Sequence, residues 1–169
     1  MRNGNAARRA ARSRGVTYLG VLLLVAVLGL GLAATGEVWQ TAAQRERENQ
    51  LIFVGNQYRK AIERYYRSTQ GDGRFPRELG NLLKDPRRPD TRRYLRTLYA
   101  DPISGKADWG LVRAPDGGIA GVYSLSEDAP IKTTGFRPEN AALAGRTKYV
   151  DWKFEYVPGV GASTPTRLP

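Results

Sequence analysis

The sequence predicts an α+β fold in which a long N-terminal membrane-spanning helix packs on a small antiparallel β-sheet. Three observations lead there. Val16 to Ala34 carries no charge, and Glu37 to Gln70 is proline-free with a helical spacing of apolar residues. The last third holds three short segments with strand character, one of which alternates strictly between apolar and charged residues.

Composition narrows the chemistry before any motif is considered. At 169 residues, the chain has room for one domain beyond its N-terminal segments. It contains neither cysteine nor histidine. That excludes disulfides, thiolate metal sites, histidine acid–base catalysis and the common zinc centres. An enzyme would have to work with carboxylates, Lys, Arg, Tyr, Ser or Thr, and no such constellation stands out, so no catalytic residue is assigned. The net charge is +11, but Arg2, Arg8, Arg9, Arg12 and Arg14 precede the apolar run, and without them it falls to +6. Much of the remainder clusters at Arg87, Arg88, Arg92, Arg93 and Arg96. No nucleic-acid-binding motif accompanies these arginines, so they read as a solvated face and no nucleic-acid partner is expected.

The uncharged run of 19 residues would rise about 28 Å as a helix, close to the hydrocarbon thickness of a bilayer. A helix satisfies its own amides, as hydrocarbon requires. Arginines ahead of it favour a cytoplasmic N-terminus, which puts the rest of the chain outside, in the periplasm of a Gram-negative cell. Three fates are open to such a segment. It is an uncleaved signal anchor, or a signal peptide cut after Gly36 with Ala34 and Gly36 as the small residues. Alternatively, it is cut on the cytoplasmic side between Gly15 and Val16. The apolar core exceeds the usual signal-peptide length of roughly 7–15 residues.

The third fate rests on a resemblance. "RGVTYLGVLLLVAVLGLGLAA" resembles the N-terminal signature of type IV pilins and type II secretion pseudopilins. In that family a short basic leader ends in Gly and is removed by a prepilin peptidase. The new N-terminus reads Phe, Thr, two apolar residues, then Glu. Here Gly15 matches the leader Gly, Thr17 matches in register, and Tyr18 and Leu19 fill the apolar places. Val16 replaces Phe, and Gly20 stands where the Glu would be. The resemblance implies processing at Gly15 and Val16, methylation of Val16, and assembly contacts through Val16, Thr17 and Gly20. In the family the Glu meets the N-terminal amine of a neighbouring subunit. A chain with Gly20 cannot supply that carboxylate, which implies either a tip or initiating minor subunit or a plain anchor that never polymerises.

Beyond the apolar run, Leu51, Val54, Tyr58, Ala61 or Ile62, and Tyr65 recur every three or four residues and mark one buried helix face. "GDG" at 71–73 supplies the stop. In "RFPRELGNLL", Pro76 is placed to start a helical turn with Leu79, Leu82 and Leu83 inward. The proline-punctuated stretch after it has Tyr94, Leu95, Leu98 and Tyr99 as apolar anchors. "DWGLVRA" and "IAGVYSL" flank the hairpin signal "PDGG", and "YVDWKFEYV" is the clearest strand. The expected organisation is a leader at 1–15, a transmembrane helix at 16–36, a stalk helix at 37–70, a periplasmic α+β domain at 71–157 and a disordered tail at 158–169. "GRFPRELGNLL" and "RYLRTLYADPISGKADWG" are similar to the stretch between stalk and sheet in major pseudopilins, which implies the pilin architecture.

Major pseudopilins often bind calcium in a loop near the last strands. The matching loop, "SEDAPIKTTGFRPENAALAGRTK", offers Glu127, Asp128 and Glu139 but dilutes them with bases, so no cofactor is assigned and Glu127 and Asp128 remain weak candidates. Asp101 and Asp116 read as turn formers and Asp108 as the start of a strand. Gly29 and Ala33 give a small-xxx-small spacing compatible with close helix packing. The resulting expectation is a pseudopilin-like structural subunit of a single-pass inner-membrane protein. Its partners would be other pilins or pseudopilins, an inner-membrane assembly platform, the prepilin peptidase and membrane lipid. The alternatives are a membrane-anchored periplasmic binding or adaptor domain, and an anchored hydrolase using carboxylates.

Overall fold

The computed structural model describes residues 7–68 and 73–159, with side-chain surroundings for 18–27, 39–68 and 73–159. Helix α1 spans Ala7–Arg67. Three strands follow, β1 at Gly110–Arg113, β2 at Ile119–Tyr123 and β3 at Phe154–Glu155. They form one antiparallel sheet in the order β1-β2-β3. Short 3-10 helices lie at Leu79–Leu82, Pro138–Leu143 and Tyr149–Asp151. The chain divides into two compact units, Met1–Ala43 and Gln44–Pro169. The described part of the first unit is α1 alone, and the second holds the core.

The expected α+β class with a small antiparallel sheet is present, but a membrane-spanning helix is not shown among the described residues. Among the described residues no helix is long and apolar enough to cross a membrane. The placement as a single-pass inner-membrane protein with a periplasmic domain is overturned on the same ground.

The core forms because α1, from Leu51 onward, presents one apolar face to the rest of the second unit. Leu51, Val54, Tyr58, Ala61, Ile62 and Tyr65 are all buried, as their spacing predicts. They meet Trp109, Ile119, Val122, Tyr149, Trp152 and Phe154 in one cluster. Gly55 sits in the middle of that face because nothing larger fits. A Cβ there would lie 2.3 Å from Cγ of Phe154, so the ring seats directly against the helix backbone. Tyr58 anchors the aromatic side of the cluster. Its hydroxyl donates to the Tyr99 carbonyl (3.1 Å) and accepts from the Tyr99 amide (2.9 Å), while Trp109 Nε1 donates to the same carbonyl (2.8 Å).

The β1–β2 hairpin follows from "PDGG". Gly117 takes φ +79°, which an L side chain rarely adopts, and Asp116 Oδ1 accepts from the Gly118 amide at 2.9 Å. Across the ladder Gly110 pairs with Tyr123, whose ring occupies the space where a Cβ would stand.

Several boundaries differ from expectation. Helix α1 ends at Arg67, where the Ser68 hydroxyl donates to the Tyr65 carbonyl; residues 71 and 72 of the expected stop lie outside the described residues. Pro76 does not start the following turn, which begins at Leu79; its carbonyl instead accepts from the Ile119 amide at 2.7 Å. Leu98 is exposed, although Tyr94 and Leu95 are buried. "YVDWKFEYV" keeps the predicted burial alternation only from Asp151 onward, with Tyr149 buried in place of Val150, and pairs only over Phe154–Glu155, since Tyr149–Asp151 coils into a 3-10 turn. Of the expected tail, residues 160–169 lie outside the described residues, as do residues 1–6 of the leader.

Gly55→Ala should therefore destabilise the second unit by about 1–3 kcal/mol through overpacking against Phe154. Gly80→Ala, where a Cβ meets nothing within 4 Å, should change stability by about 0.5 kcal/mol or less. Urea unfolding followed by circular dichroism compares the two directly.

Candidate functional site

The residues singled out at the N-terminus all lie on α1. The bond between Gly15 and Val16 is within the helix, which starts at Ala7 and runs through it. The side chains of Val16 and Thr17, and those around Gly29 and Ala33, lie outside the described residues. Gly20 is described, and a Cβ built there meets nothing within 4 Å. From Tyr18 to Val27 every residue is exposed. Eight of them are large and apolar, ranging from Leu22 at 48 % to Leu19 at 69 % exposure. Over this stretch the helix is exposed and apolar all round, an unusual surface for a chain in water.

In the second unit the notable chemistry is three buried carboxylates. Glu48 is 2 % exposed and faces inward from α1. Its carboxylate accepts from the amides of Ile131 and Lys132 and from the Tyr149 hydroxyl (2.8 Å). Gln44, one turn earlier, donates to the Ala129 carbonyl and the Tyr149 oxygen, both at 3.1 Å. Burial, above all, pushes the Tyr149 phenol up to about 12; the Gln44 contact opposes this and Glu48 reinforces it.

Asp85 is the second. Arg87 Nε donates to its Oδ1 at 2.8 Å, and the Tyr94 hydroxyl donates to Oδ2 at 2.9 Å. The Arg87 guanidinium also lies 3.6 Å over the Tyr65 ring and donates to the Tyr65 carbonyl. The hydrogen bond from Arg87 is the main reason the Asp85 carboxyl is held at about 2; burial opposes it.

Asp101 is the third, fully buried beneath the turn that it forms. Its Oδ1 accepts from the Ile103 amide (2.9 Å) and its Oδ2 from the Ser124 hydroxyl (2.7 Å). That is the turn-forming role expected of it. Asp116 likewise sits in its hairpin, and Asp108 is exposed two residues before β1.

These clusters fix chain segments. Ser124 and Asp101 are the one buried serine–carboxylate pair among the described residues, and both have 0 % exposure. The two candidate metal ligands are turned to other partners. Glu127 pairs with Lys148 at 3.0 Å, and Asp128 Oδ2 accepts from the Ser126 hydroxyl at 2.8 Å. No group of three or more His, Cys, Asp or Glu that could hold a metal is found among the described residues.

Glu48 is the residue that sequence reading missed. Its signal was its position: Gln44, Glu48, Leu51, Gly55 and Tyr58 share one spacing, which places a carboxylate on the apolar face.

No protein-family model matches the chain, and neither a characterised protein nor a solved structure does.

Two substitutions test these clusters. Glu48→Ala leaves three donors without an acceptor and should cost about 3 kcal/mol of stability, measured by urea unfolding. The folded state holds Asp85 at about 2, below its ordinary 3.8. Its contribution of about 2 kcal/mol is therefore present above pH 3.8 and lost as pH falls through 2. Asp85→Asn should remove that acid dependence. At the alkaline end, Tyr149 stabilises below pH 10 and its contribution is lost as pH rises through about 12, a loss that Tyr149→Phe should abolish.

Proposed function

We propose that this chain is a pilin-like structural subunit, of the pseudopilin type, that joins a helical filament by bundling its apolar helical segment with those of other subunits. The observation that carries the reading is the uncovered apolar collar from Tyr18 to Val27. Burying a large apolar side chain contributes about 1.5–3 kcal/mol, so eight left in water are a substantial drive to associate. Helices of the same kind cover such a surface on all sides. The open space at Gly20 allows a close approach there.

The resemblance of Gly15, Thr17 and the apolar run to the prepilin signature adds processing by a prepilin peptidase, with Val16 as the new, methylated N-terminus. Gly20 supplies no carboxylate for a neighbour's amine. The subunit therefore fits a tip or initiating position better than a repeated one. Its partners are other pilin-type subunits, the assembly platform and the peptidase.

Intact-mass analysis of the protein recovered from its own cells should give a chain that begins at a methylated Val16. Sedimentation equilibrium should show self-association that weakens at least about tenfold in Leu22→Asp/Val25→Asp, because both side chains are exposed and their loss spares the core. A chain that retains Met1, or wild-type protein that stays monomeric at about 100 μM, defeats the reading.

A further inference from the structure

A second surface is independent of the apolar collar. Glu63, Arg64, Arg67 and Ser68, at the end of α1, face Arg92 and Arg93 across an open groove of about 490 Å³. That is the size range of a ligand or short-peptide site. The floor is Tyr94, which is fixed: its hydroxyl lies 2.6 Å from Ser68 Oγ and 2.9 Å from Asp85 Oδ2. The two walls are thus joined through one buried cluster and keep their separation.

Four arginines share this groove with a single carboxylate, and that carboxylate is taken. Glu63 pairs with Arg67 at 3.1 Å. Among the described residues Arg64, Arg92 and Arg93 form no ion pair, although all three are exposed. Arg92 has only the Tyr94 ring, 5.7 Å from its guanidinium. Like charges held on facing walls repel one another unless an anion stands between them. Guanidinium groups match a carboxylate or a phosphate through paired N–H donors, as ammonium groups do not.

Two features favour carboxylates over a nucleic-acid backbone. The groove has no exposed aromatic on which a base could stack, since Tyr94 is 9 % exposed. Glu63 lies on one wall, where it would repel a continuous run of phosphates but tolerate spaced carboxylates. We propose that this groove docks an acidic segment of a partner protein, with Asp or Glu side chains pairing to Arg64, Arg92 and Arg93.

The test is fluorescence anisotropy of a labelled peptide of alternating Glu and Gly titrated with the full chain in 20 mM salt. The N-terminal arginines also attract it, so the measure is the difference between two variants of equal charge change. Arg92→Glu/Arg93→Glu should weaken binding about tenfold or more, while Arg137→Glu/Arg146→Glu, exposed and outside the groove, should weaken it less than about twofold. Should the first pair of changes unfold the protein, Arg64→Glu on the helical wall takes its place and should weaken binding at least about threefold. Three results overturn the proposal: no binding by the wild type, equal loss in both double variants, or a nine-residue oligothymidylate bound as tightly and with the same dependence on the groove. The last result would make the groove a nucleic-acid site.

Discussion

The second unit depends on one buried carboxylate. Glu48 enters the core from the apolar face of α1 and accepts from two backbone amides and one phenol of a segment more than eighty residues later. A buried carboxylate without donors costs several kcal/mol, so the loop around Ile131 and the helix cannot separate without exposing that cost. The contact also sets what comes next. With Tyr149 held to Glu48 and its amide bonded to the Asp128 carbonyl, the chain coils through Tyr149–Asp151 and delivers Trp152 and Phe154 to the core. Phe154 can reach α1 because Gly55 leaves room for it. Carboxylate, glycine and strand form one connected arrangement.

The same device recurs. Strands of four, five and two residues cannot hold the long irregular stretches between α1 and β1 and between β2 and β3. With no cysteine to cross-link them, each stretch is pinned by buried acids instead. Asp85 ties the segment after Leu82 to the end of α1 through Arg87 and Tyr94. Asp101 closes the turn at Ile103 and reaches Ser124 at the end of β2. Each acid has at least two donors, which is what allows it to be buried.

Where the sequence pattern and the burial came from the same local geometry, the structure was legible. The apolar face of α1 was readable residue by residue from Leu51 to Tyr65, and the β1–β2 hairpin from its turn chemistry. The third strand was half legible. Alternation records which side chains are buried, and Trp152 and Phe154 are, but it does not record backbone pairing, which the anchoring of Tyr149 shortened. Leu98 and Pro76 were misread because loops and turns are placed by distant partners. The apolar run was read as a bilayer-spanning helix from length and hydropathy, and that reading did not stand. Glu48 shows the opposite limit: a lone acid on an apolar face looks like noise until its donors are seen. The arginines at 92 and 93 looked like a solvated run, and only folding brings Arg64 and Arg67 opposite them.

The three tryptophans sit in very different surroundings. Trp39 in the first unit is 77 % exposed, Trp109 is 7 % exposed, and Trp152 is sealed at 0 % between the rings of Phe136 and Tyr149. An indole emits at longer wavelength in water than in hydrocarbon. The protein thus carries its own optical labels: a red-shifted one sensitive to whatever covers the helical unit, and a blue-shifted pair sensitive only to loss of the globular one.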